Sequence, residues 1–107
     1  MITVTYYRED NRVIMEGHAQ SAPIGQDLVC ASASMLIQTL AAFVNNMKTA
    51  RQVKCPIIKL SDGHAFIDCK APERYKSSVT LVFDAICAGF DLLAHDYPEH
   101  ISYEIRG

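Results

Sequence analysis

A histidine and a cysteine twelve positions apart, His18 and Cys30, enclose a segment carrying two turn formers, Pro23 and Gly25. Those residue types suit thiol chemistry, because a thiolate is a strong nucleophile and an imidazole that titrates near neutrality can take the thiol proton. Proline and glycine let the chain double back, so the imidazole can reach the sulfur. Asp27 is a good helix N-cap, which places Cys30 near the third helical position. Unpaired amides and the positive end of the helix there favour thiolate over thiol, and the same amides can hold an oxyanion. The segment reads as a thiol active site.

The elements that must carry these groups follow from periodicity. Residues 2–7 alternate Ile2, Val4 and Tyr6 against Thr3, Thr5 and Tyr7, the period of a strand with one buried face. Glu9-Asp10-Asn11 supplies a turn, and residues 12–18 form a second strand, so the first hairpin ends at Gly17-His18. Gly17 lets backbone or substrate come close. From Asp27 to about residue 48 the period becomes helical, with Val29, Ala33, Leu36, Ile37, Leu40, Val44 and Met47 on one apolar face. Ser34 lies one turn beyond Cys30, where its hydroxyl either supports the sulfur environment or bonds the helix backbone.

Residues 57–60 and 65–69 bracket Ser61-Asp62-Gly63-His64, a hairpin signal. Pro72 suits the first turn of a second helix whose core face uses Val79, Val82, Phe83, Ile86, Phe90 and Leu93, and Pro98 limits its extent. A last strand spans 101–105. The order is ββαββαβ, an α+β single domain over 1–107 with a mainly antiparallel or mixed sheet and two long helices packed on it.

Composition narrows the function classes. The net charge is −2 with no basic run to track a phosphate backbone, so direct nucleic-acid binding is not expected. The start lacks a secretory pattern and no apolar run approaches the ~20 residues that span a bilayer, so a cytoplasmic protein without a membrane contact is expected. Its four cysteines should therefore stay reduced. Cys55, Cys69 and Cys87 read as small buried hydrophobes. His64 reads as solvated at its turn, while His95 and His100 flank the end of the second helix. No cysteine or histidine pair has metal-ligand spacing, so neither a metal nor an organic cofactor is called for.

Gly17-His18-Ala19, a short loop, then Gly25-x-Asp27-x-Val29-Cys30-Ala31-x-x-Ser34 resembles the signature of the bacterial ribosomal-processing cysteine proteases. The resemblance implies that Cys30 is the nucleophile and His18 its base. It also implies a homodimer, and as substrate a large-subunit ribosomal protein made with a short N-terminal extension, cut after bulky apolar residues. Ala22 and Ile24 are candidates to line that side. Loop 19–26 departs from the family pattern in being short of charge, with Gln20, Ser21 and Gln26 where acidic residues are usual. Asp27 is either only a cap or a partner of His18 or of a substrate amide. Gly25 makes the loop either a lid that orders over peptide or a fixed connector.

Three activities use this arrangement. The first is an endopeptidase with a Cys30/His18 dyad. The second is a non-enzymatic, ribosome-associated adaptor whose cleft grips a peptide, and the third is acyl or thiol transfer to a small molecule. Reactivity of the Cys30 thiol near neutral pH separates the first two. The family resemblance implies that the amphipathic second helix and closing strand form the dimer face, since buried and interfacial apolar stripes look alike in a sequence.

Overall fold

The alternation of residues 2–7 builds β1 (Ile2–Tyr7), in which Ile2, Val4 and Tyr6 are buried. It pairs antiparallel with β2 (Arg12–Glu16), Val4 opposite Met15 and Tyr6 opposite Val13. The structure is a computed structural model that describes residues 1–17 and 24–107, with side chains from 28 onward in the second segment. After β2 come α1 (Ile24–Thr49), β3 (Lys54–Ser61), β4 (His64–Lys70), α2 (Glu73–Asp96) and β5 (Ile101–Arg106). The ββαββαβ order is therefore as the periodicities indicate.

The five strands form one mixed sheet in the order β3-β4-β2-β1-β5, with β1 and β5 parallel and the remaining neighbours antiparallel. Helix α1 lies over β3 and β4, α2 lies over β5, and the helices touch each other. Between them and the sheet runs one core. It takes Val29, Ala33, Ile37, Leu40, Val44 and Met47 from α1, and Val79, Phe83, Cys87 and Phe90 from α2. The helical steps of three and four residues put these side chains on one face. Leu36, Val82, Ile86 and Leu93 border the core only partly buried.

Several boundaries differ from the expected ones. Strand β2 ends at Glu16, short of Gly17, whose φ of 114° belongs to the region that favours glycine. Strand β3 begins at Lys54, before Pro56, because a register shift between Lys54 and Ile57 absorbs the proline. The irregularity holds Cys55 at φ 47° and turns it out, so it is exposed and not the buried hydrophobe expected. Pro72 stands just before α2, at the N-cap position without a side-chain cap, and Glu73 is the first helical residue.

No uninterrupted apolar run nears the ~20 residues that span a bilayer, but by length and mean hydropathy both helices could cross one. Residues 28–47 contain no ionised side chain at all. In this fold one apolar face of each helix packs into the shared core, while Leu28, Met35 and Phe43 of α1 and Leu81 and Leu92 of α2 remain exposed.

A polar cluster joins α2 to the first hairpin. The Tyr6 hydroxyl donates to Asp84 Oδ1 at 2.8 Å, and Arg8 donates through Nε and Nη2 to the two carboxylate oxygens, each at 3.0 Å. The Tyr6 ring stacks on Phe83 at 6.1 Å. Nearby, Asn11 at φ 49° is fully buried, donating to Thr80 and accepting from Lys76. The Arg8 guanidinium, then the Tyr6 hydroxyl, hold the Asp84 carboxyl below the usual carboxylate range against an opposing effect of burial. A carboxyl that titrates lower folded than unfolded stabilises the fold above its unfolded pKa, and that stabilisation disappears as pH falls through its folded one. The Arg8–Asp84 pair is partly exposed, so water screens it and its contribution is small. Asp84→Asn should therefore lower the unfolding free energy slightly at neutral pH, with the deficit shrinking as the pH falls through and below the usual carboxylate range. Urea titrations of both proteins at several pH values check this.

Candidate active site

Cys30 lies in α1, half-buried, packed on one side against the core and open on the other to a cleft of about 310 Å³. Gly17 and Ser34 line the same cleft, so the structure brings together three of the residues singled out in the sequence. Ser34 is one helical turn after Cys30, which puts both on one side of α1. Gly17 is held there by its amide, which donates to the Gly63 carbonyl at 3.0 Å, tying the end of the first hairpin to the turn of the second.

That turn supplies residues that periodicity did not connect to the cysteine. Asp62, Gly63 and His64 form the opposite wall. They arrive because β2 pairs with β4, setting Glu16 opposite His64. His64 is exposed, as a turn residue is expected to be, but it shares the cleft with the sulfur. The Asp-Gly turn was the available signal, and without the strand order it pointed nowhere.

The remaining site residues are placed differently. Helix α1 starts at Ile24, so Asp27 lies inside the helix and does not cap it, and Gly25 and Ile24 belong to the first turn and not to a loop. Acidic residues are favourable both at a cap and in a first turn, so an aspartate does not tell the two apart. The correction moves Cys30 a full turn inward. Its own amide is thereby within reach of an i−4 carbonyl and is not one of the unpaired amides of the helix end. His18 lies outside the described residues, as do Gln20, Ser21 and Ala22 and the side chains of Ile24, Gln26 and Asp27.

Cys30 and Cys55 are the two accessible thiols. Burial pushes the Cys69 thiol up to about 11 and that of Cys87 to about 12, so both stay protonated at neutral pH and shielded from reagents. Among the described residues no three His, Cys, Asp or Glu side chains gather as a metal site. A half-buried thiol at the wall of a cleft, with polar groups facing it, is arranged for attack on a bound carbonyl.

The family model described as Cysteine protease Prp matches residues 1–102. The chain belongs to the cysteine protease Prp family. Solved Prp structures share its fold. The essential ribosomal processing protease Prp of S. aureus, crystallised with a substrate peptide, is 27% identical with a TM-score of 0.74. That similarity covers 99% of this chain and 100% of the S. aureus chain. The same S. aureus protease with a covalently linked product peptide gives 28% identity and a TM-score of 0.72 over the same shares. SMU.848 of Streptococcus mutans is 28% identical with a TM-score of 0.66, over 97% of this chain and 90% of its own. No match is found among curated proteins.

Proposed function

We propose that residues 1–107 act as one cysteine-endopeptidase domain in the cytoplasm, removing the short N-terminal extension of a large-subunit ribosomal protein with Cys30 as nucleophile and His18 as base. The observation that carries this reading is the open, half-buried Cys30 sulfur in a cleft whose wall includes Gly17, the residue bonded to His18. The S. aureus Prp structures with substrate and covalently linked product peptides support a peptide as the ligand and a covalent intermediate in the reaction.

In this reading His18 takes the Cys30 proton and the thiolate attacks the scissile carbonyl. The tetrahedral intermediate collapses to a thioester as the protonated imidazole gives its proton to the leaving amine. Water, deprotonated by His18, then cleaves the thioester and restores the thiol. The developing oxyanion needs donors. Since the helix begins at Ile24, the amide of Cys30 is not free for that task, and the Ser34 hydroxyl is the side-chain donor beside the sulfur. Neither metal, organic cofactor, nucleic acid nor membrane takes part. The protein works as a homodimer, supported by the exposed apolar side chains Leu81, Leu92 and Ile105 on α2 and β5.

Incubating the protein with the ribosomal protein of the same organism, made with its extension, and weighing the products tests the reading. One new N-terminus after apolar residues is expected, and an intact substrate would overturn it.

A further inference from the structure

We propose that the hollow between Leu60 and Gln38 is a subsite for an apolar side chain of the bound peptide, with Leu60 setting the preference; this rests on the peptidase reading above. The thiol cleft does not end at His64. It continues into a second hollow of about 420 Å³, walled by Ile37, Gln38, Leu60 and Ala65, and Met15, Ser34 and the Ser61-His64 turn border both. A ligand seated at Cys30 therefore meets this second space without leaving the groove.

Leu60 is the feature that calls for an occupant. The sheet register sets Met15 opposite Ala65 and Ala65 opposite Leu60, so all three share the face that the helices cover. Ala65 is buried, yet Leu60, on the edge strand β3, is 46% exposed and faces the hollow that Ile37 and Gln38 of α1 border. A leucine on the inward row with open space above it has an unfilled apolar neighbour.

The distances agree with a peptide. Cys30, Ser34 and Gln38 are four residues apart along one side of α1, and at a rise of about 1.5 Å per residue Gln38 lies about 12 Å from Cys30 along the axis. An extended chain covers that in roughly three to four residues at about 3.3–3.6 Å each. The subsite thus takes a side chain about three residues from the bond that Cys30 attacks. A leucine, methionine or phenylalanine side chain matches its apolar walls, and an acidic one does not.

A library of random decapeptides, cleaved by the wild type and by Leu60→Glu and Leu60→Arg and read by mass spectrometry, tests this. The wild type should enrich leucine, methionine or phenylalanine at one position about three residues from the cut. Leu60→Glu should cut such peptides about tenfold less well and gain lysine or arginine at that position, and Leu60→Arg should gain glutamate or aspartate. Unchanged alkylation of Cys30 and unchanged thermal melting would show that the sulfur and fold are intact. Retention of the same library on immobilised Cys30→Ser, with and without the Leu60 changes, gives a second readout. Retention governed by Leu60 without cleavage by the wild type would end the peptidase reading and keep the subsite. Identical profiles for all variants, or a library neither cut nor retained, would overturn the subsite.

Discussion

Cys30→Ala is expected to abolish peptide cleavage, lowering kcat/KM by at least about ten-thousandfold. In the proposed mechanism the sulfur supplies the covalent step, and among the described residues no other group lining the cleft can replace it. Asp62 and His64 share the cleft, and the Ser34 hydroxyl is a far weaker nucleophile than a thiolate without an assigned base. His18→Ala should fall in the same range, and the double variant should be no worse than the more damaged single one, since a nucleophile and its base fail as a unit. Binding of an uncleaved peptide should survive in Cys30→Ala, because its carrying contacts lie along the groove. Full cleavage by Cys30→Ala would refute the mechanism. Inactivation by iodoacetamide gives the complementary measurement, provided Cys55 is first changed to serine, because it too is exposed. One alkylated thiol per chain should then account for all lost activity.

The second large effect concerns a residue with no reactive group. Gly17→Ala should destabilise the fold by about 3 kcal/mol and cost between ten- and a hundredfold in cleavage. The backbone at φ 114° is one that side-chain-bearing residues rarely adopt, and a methyl group there would collide with the Met1 carbonyl oxygen and crowd Ile2. Relief requires moving either the start of β1 or the end of the first hairpin. The second movement breaks the Gly17 amide to Gly63 carbonyl bond and shifts the segment leading into His18 relative to Cys30. Misplacement of about 1 Å at a reacting pair is enough for a hundredfold loss. Urea unfolding gives the stability change, and peptide turnover at a temperature where the variant stays folded gives the catalytic one. A variant with wild-type stability and rate would show that Gly17 does not hold the hairpin end to the cleft.

Where structure departs from sequence pattern, the causes are particular. Free cysteine is usually buried, but Pro56 after Cys55 cannot donate to a ladder, and the resulting irregularity turns Cys55 to solvent. The chemistry of Asp27 fits a cap, and the helix starts at Ile24 all the same. Polar but uncharged Gln38, Asn45 and Asn46 interrupt the apolar runs of α1 without lowering its mean hydropathy far, so run length and mean hydropathy give different answers there. By its place in a turn His64 reads as merely solvated, yet its neighbours in space make it part of the cleft.

Local pattern alone determined the seven elements and their order, the core faces of both helices and the inward row of β1, whereas the choice of Cys30 among the four cysteines rests on the family signature around it. The elements and faces depend on hydrophobic period and turn chemistry, which act over a few residues. The strand order β3-β4-β2-β1-β5 was decided only by the tertiary structure, and with it the meeting of Cys30, Gly17 and the Asp62-His64 turn. Pairing of β2 with β4 joins segments about fifty residues apart, and β1 with β5 nearly a hundred, so the choice is made by how two helices and five strands best bury one common core. No single stretch of chain holds that information, because each strand's alternating pattern would suit any neighbour in the sheet.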